Sequence, residues 1–190
     1  MNDPEYILVD EFGTKDENDI LVGGVLKQVQ KNLGIPSLNY QYGTIEELNE
    51  TLAQWGKDPD FAQRKFPLVW LVQPFTLARG YTDVFARVKG GLRLFIIVGT
   101  DATLKAKDRM AEKFKPLIYP ILRQLLVELN NHPAIQLEFN RDFEATDRYW
   151  FSDQQKEIND KVDCLEITGL QIGINNNQNC CTIADRPVLN

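Results

Sequence analysis

Residues 93–131, RLFIIVGTDATLKAKDRMAEKFKPLIYPILRQLLVELNN, decide the fold because they join a short apolar run to a long helical pattern. The run 94–98 is followed by Gly99, Thr100 and Asp101, and such a bounded run is typical of a strand buried on both faces. From 110 to 129 the apolar residues recur at spacings of three and four, so they form one stripe of a helix. A buried strand that leads into a long amphipathic helix predicts a sheet with this helix packed on one face.

Two prolines, Pro116 and Pro120, interrupt the helical pattern. A proline inside a helix removes one backbone hydrogen bond and presses on the preceding turn, at a cost of about 3 kcal/mol. Two interpretations remain open: a short helix that ends near Lys115 with a second beginning at Pro116, or one strongly kinked helix.

Composition limits the classes of protein that the chain can represent. Its 190 residues suit one domain, and 43% hydrophobic and 25% charged residues are ordinary for a globular protein. The formal charge of −6 argues against general affinity for nucleic acid or anionic lipid. No apolar stretch approaches the roughly 20 residues of a membrane span, and the acidic N-terminus predicts no signal peptide. Three cysteines, Cys164, Cys180 and Cys181, are an odd number, which favours free thiols in a reducing compartment.

We expect a single α+β domain over 1–190, with a mainly antiparallel sheet, a long kinked helix on one face and two N-terminal helices. Its predicted parts are an N-terminal arm (1–15), a helical part (16–57), a core of sheet and long helix (65–174) and a tail (175–190). The arm is interpreted either as an edge strand or as a contact with a neighbouring subunit.

The two N-terminal helices are predicted from their caps and apolar stripes. The first runs from about 16 to 33, with Gly34 as the residue that ends it. The second begins at Thr44 and Glu47, which have the spacing of a capping box, and closes at Gly56. We interpret residues 37–43, between these helices, as turn-like.

Three further strands are predicted. Residues 68–72 are continuously apolar between two prolines, and 135–139 alternate as in a strand with one wet face. Residues 162–174 alternate as well, but the apolar parity changes at Thr168 and Gly169, which indicates a β-bulge.

The sequence contains no recognisable catalytic motif, so we expect no enzyme, no cofactor and no metal. His132, the only histidine, lies at a helix end, where a capping role is favoured. Asp142, Glu144 and Asp147 offer oxygen ligands to a hard cation, but without EF-hand spacing a solvated acidic loop is the favoured interpretation.

Two groups of residues are candidate contact sites. The connection 76–90 and the residue positions just beyond it concentrate positive charge in an acidic chain, which predicts a solvated hairpin tip, a contact with passing nucleic acid or docking on an acidic neighbour. Its basic residues are Arg79, Arg87, Lys89 and Arg93. Large aromatic residues in the polar stretch 140–160 either pin it to the fold or form an interface. The candidate interface aromatics are Tyr149, Trp150 and Phe151.

The order LVWLVQPF, LRLFIIVGTDA, DRMAEKFKPLIYPILRQLL, YWF and DCLEITGLQI resembles an uncharacterised structural family of tailed phages and prophages of Bacteroidetes. The likeness covers roughly residues 65–174, and FKPLIYPI is its most specific piece. The matching positions are Pro74-Phe75, Thr100-Asp101, Phe114 to Ile121 and Asp163 to Ile167. The order of helix, antiparallel strands, long helix and closing strand also looks like the tail-terminator and tail-completion fold of phage necks. This chain departs from it by its two N-terminal helices and its aromatic-rich 140–160 segment.

The resemblance implies a virion structural protein of the neck or tail that acts by assembly. It further implies a closed homo-oligomeric ring of sixfold or twelvefold symmetry and other phage neck and tail proteins as partners. Contact with DNA would be transient, and there would be no cofactor and no membrane association. The expected location is the virion, after assembly in the cytoplasm of the bacterial host. The alternatives are an assembly chaperone or binding module absent from the particle, and a metal-dependent enzyme acting on nucleic acid.

Overall fold

A computed structural model describes residues 4–79, 85–101, 103–137, 142–149 and 160–175 and confirms the α+β class. The helices are α1 (Pro4–Phe12), α2 (Gly24–Leu33), α3 (Ile45–Lys57), α4 (Pro59–Arg64), α5 (Ala106–Arg109) and α6 (Tyr119–Asn131). The strands are β1 (Thr14–Lys15), β2 (Leu21–Gly23), β3 (Asn39–Gly43), β4 (Leu68–Val72), β5 (Thr76–Arg79), β6 (Phe85–Lys89), β7 (Leu92–Gly99), β8 (Ile135–Leu137), β9 (Glu144–Arg148), β10 (Val162–Leu170) and β11 (Ile172–Asn175). None of the helices in these ranges is both long enough and apolar enough to cross a membrane.

The strands form two main sheets and one small hairpin. The five-stranded sheet has the order β3-β4-β7-β10-β9, and the four-stranded sheet has the order β5-β6-β11-β8. The strand pairs are antiparallel, apart from the parallel pair β3–β4. The hairpin β1–β2 is separate from both sheets.

Strand β7 is the centre of the core and is buried on both faces, as its continuous apolar run predicts. Leu94 and Ile96 face the larger apolar cluster, which also contains the buried side of the long helix. Phe95 and Ile97 face a second cluster beneath α3. The five-stranded sheet is therefore sandwiched between helices, because consecutive side chains of a strand point to opposite faces.

The long helix is continuous over 26 residues, so the interpretation as two separate helices is wrong. A π-helical segment, Met110–Ile118, links α5 to α6 and contains Pro116, while Pro120 lies in the first turn of α6. A π-helical segment pairs backbone groups five residues apart rather than four, and at its end the backbone N–H of Tyr119, next to Pro120, donates to the carbonyl of Phe114. The altered hydrogen-bonding pattern accommodates the prolines without a chain break.

The bulge predicted in the closing strand is confirmed and has a further role. The pairing of β10 with β7 shifts register between Ile167 and Leu170. Gly169 adopts φ +76°, and a Cβ on Gly91 would lie 2.3 Å from the Gly169 carbonyl carbon. Beyond this bulge the chain leaves the five-stranded sheet and continues as β11 of the four-stranded sheet, so one strand segment holds both sheets together.

The N-terminal prediction needs correction in two places. Residues 4–12 form α1 rather than an edge strand, and Leu8 and Phe12 are fully buried in the core of the same chain. The first predicted helix begins at Gly24 rather than near 16, because Asp16 accepts the backbone N–H groups of Asn18 and Ile20 and so turns residues 14–23 into a hairpin.

Three segments interpreted as connections also contain regular structure. Residues 39–43 form β3 beside β4, with Tyr40 buried in the core. The polar stretch after α3 forms α4, whose first turn is capped by Asp58. Part of the aromatic-rich 140–160 segment is the edge strand β9. The expected second helix, α3, has the predicted capping box of Thr44 and Glu47.

Candidate interaction surfaces

The predicted basic connection is a β-hairpin, of which residues 80–84 lie outside the described part. Strand β6 alternates buried Ala86 and Val88 with exposed Arg87 and Lys89. The apolar pair anchors the strand on the core, so the two cations share its outer face. The residues paired with Arg87 are Ala78 on β5 and Gly173 on β11, and Lys89 is paired with Thr76. The outer face of β6 therefore carries two positive charges flanked by uncharged cross-strand neighbours.

Of the other two predicted basic residues, only Arg93 has a described side chain. Arg79 is described only as a strand position opposite Ala86. Arg93 lies on β7, where its Nε and Nη2 atoms are 2.8 and 2.7 Å from Glu166 Oε1, and its guanidinium lies 4.8 Å from the centre of the Phe95 ring. Arg93 thus stabilises the five-stranded sheet, whereas Arg87 and Lys89 share the outer face of the hairpin.

Glu166 connects three strands of the five-stranded sheet. Arg93 holds one carboxylate oxygen, and Arg148 on β9 donates to the other from Nε at 3.0 Å and from Nη2 at 2.8 Å. Burial acts to raise the pKa of Glu166, but the hydrogen bonds and charges of Arg148 and Arg93 outweigh it and hold this pKa below its usual value. The network therefore stays ionised near neutral pH and fastens the edge strand β9 to the sheet.

Of the three predicted interface aromatics, Tyr149 packs inside its own chain. Its ring lies 5.0 Å from that of Phe114 in an edge-on arrangement, and burial followed by the charge of Asp147 raises the pKa of its hydroxyl. Trp150 and Phe151 lie outside the described residues. Tyr149 thus fits the interpretation of aromatics that pin the segment to the fold.

The acidic residues proposed as cation ligands are not brought together. Glu144 pairs with Thr168 and Asp147 with Leu165, which places the two carboxylates on opposite faces of β9. Asp147 accepts a hydrogen bond of 2.6 Å from the hydroxyl of Tyr119 on α6. Asp142 lies outside both pairings. Within the ranges that the structure describes, no three His, Cys, Asp or Glu residues form a group suited to a metal ion.

His132 ends the long helix, as predicted, and it also links that helix to α1. Its Nε2 atom lies 3.2 Å from Glu11 Oε2, and its Nδ1 atom accepts the backbone N–H of Ala134. The contact is structural and tethers the C-terminus of α1.

A buried ion pair at the start of the long helix was not foreseen from the sequence. The guanidinium of Arg109 donates to Asp163 Oδ1 at 2.6 Å, and both side chains are almost completely buried. Arg109 also donates to the carbonyl groups of Asp101 and Leu104 and to the hydroxyl of Thr100. The available signal was Asp163 itself, because an acid among the apolar residues of a buried strand requires a cationic partner.

Sequence inspection also missed an acidic surface on α3. Glu46, Glu47 and Glu50 are exposed on the side away from the buried Leu48 and Leu52. Glu47 belongs to the capping box, in which its carboxylate accepts the backbone N–H of residue 44. Glu46 and Glu50 form no ion pair within the described part of the chain, so their charges face solvent.

A cleft of about 320 Å³ between β3, α3 and α4 is lined by Trp55 and Phe61, whose rings stack at 5.5 Å. Its acids already have local roles, since Asp58 caps α4 and Asp19 is bonded to Gln41 and Lys15. We therefore assign the cleft no ligand. Comparison with protein-family models and with curated proteins found no match to this sequence.

Proposed function

We propose that this protein is a structural component of a phage neck or tail, similar to tail-terminator or tail-completion proteins, and that it acts by assembling into a closed ring. The observation that carries the proposal is the β5–β6 hairpin, which is anchored on the core by Ala86 and Val88 and presents Arg87 and Lys89 outward. Charged side chains on the exposed face of a strand are suited to contacts between molecules.

The charged groups inside the fold support the same proposal. Arg93, Arg109 and Arg148 are bonded to carboxylates that hold strands and the long helix together. These residues serve stability, whereas Lys89 is exposed on the outer face of β6. The order of antiparallel strands, long helix and closing strand also agrees with the fold that the resemblance implies.

The test is to look for this protein in purified particles and to measure its own assembly. We expect mass spectrometry of virions to detect it, and we expect negative-stain images of the purified protein, alone or with tail-tube protein, to contain rings. A protein that stays monomeric under both conditions and is absent from virions would refute the proposal. Assembly defects in a phage lacking the gene, combined with absence from the particle, would instead support an assembly chaperone.

A further inference from the structure

We draw no further inference here: the strongest candidate, the largely apolar cleft of about 190 Å³ between the β1–β2 hairpin, the end of α2 and the start of β3, carries nothing, because Arg64 in its lining already contacts Asn18 and Phe61 of its own chain and nothing in the structure shows what covers the apolar surface.

Discussion

Replacing Arg109 by methionine should strongly destabilise the fold. The side chain of Arg109 is 6% exposed and that of Asp163 is 0% exposed, so the substitution leaves a carboxylate buried without its cation. It also removes the donors to the carbonyl groups of Asp101 and Leu104, which close the turn between β7 and the long helix. Methionine retains much of the apolar volume of arginine, so the expected loss is electrostatic.

The magnitude follows from the burial of both partners. Removing one member of a buried ion pair costs about 3–5 kcal/mol in the free energy of unfolding. For a chain of this length, unfolding entropy near the midpoint is about 0.4 kcal/mol/K, so the loss corresponds to a fall of roughly 8–12 °C in Tm. Replacing both partners, as in Arg109→Met/Asp163→Leu, should recover part of the loss, because no buried charge then remains.

Thermal unfolding followed by circular dichroism, together with urea unfolding, measures these differences. Arg148→Met is the matched control, since Arg148 is 32% exposed and Glu166 keeps Arg93 when it is removed. We expect the control to lose only about 1 kcal/mol. A fall in Tm of less than about 2 °C for Arg109→Met, or a double variant less stable than the single one, would contradict the assigned role of the pair.

Three further predictions concern single positions. Gly24→Ala should lower the free energy of unfolding by about 1–3 kcal/mol, because residue 24 has φ +80° and a Cβ would lie 2.7 Å from the Cα of Gly13. Gly56→Ser, at an exposed position, is the control, and urea unfolding measures both variants. Tyr119→Phe should cost about 1.5 kcal/mol near pH 7, measured by urea unfolding, through loss of the hydrogen bond to Asp147. Burial, followed by the hydrogen bond and charge of Asp147, raises the pKa of Tyr119 in the folded state. The Tyr119 hydroxyl therefore contributes its full stabilisation below pH 10 and loses it as the pH rises above 10. An equally steep alkaline loss of stability in the Phe variant would contradict this. Glu166→Gln should flatten the acid side of the stability profile, because the pKa of Glu166 is lowered in the fold and its contribution is present above about pH 4.5 and lost as pH falls through the lowered value. Urea unfolding between pH 3 and 7 measures the difference, and an unchanged acid slope would count against the Arg93–Glu166–Arg148 network.

The parts of the fold that were predictable are those in which one strong pattern decides the structure. Residues 94–98 are all apolar and have no polar face to expose, so a strand buried on both faces is the arrangement that removes them from water. The parity change at Thr168 and Gly169 located the bulge, because only an extra residue can keep both halves of that strand facing the core. Thr44 and Glu47 located the start of α3 because a capping box satisfies two backbone donors locally.

The wrong predictions concern segments in which a competing contact outweighs the secondary-structure preference of the residues. Residues 16–23 carry acids suited to a helix start, but the turn formed by Asp16 competes successfully for the same backbone groups. Strand β3 follows a proline-serine turn and is short, so its structure depends on pairing with β4. The indole N–H of Trp70 on β4 also donates to the backbone carbonyl of Gly43 on β3. The pairing of β3 with β4 cannot be seen in a window of local sequence.

Sorting the charged residues required strand register, which the sequence does not provide. Arg87, Lys89 and Arg93 lie within seven positions of one another and were grouped for that reason. The turn after β6 moves Arg93 to another sheet, where it is bonded to Glu166, while the other two remain on the outer face of the hairpin. Proximity in sequence therefore does not show that Arg93 shares a surface with Arg87 and Lys89.

The register of β6 places its buried apolar residues on one face and its exposed charged residues on the other. Arg87 and Lys89 alternate with buried Ala86 and Val88, so the apolar side of β6 holds the strand whatever lies on its outer face. Exposed charges flanked by uncharged neighbours contribute little to folding. Charge reversal at Lys89, which is exposed and paired with Thr76, should thus leave the free energy of unfolding nearly unchanged, and any loss of assembly in that variant can be attributed to a contact between molecules rather than to the fold.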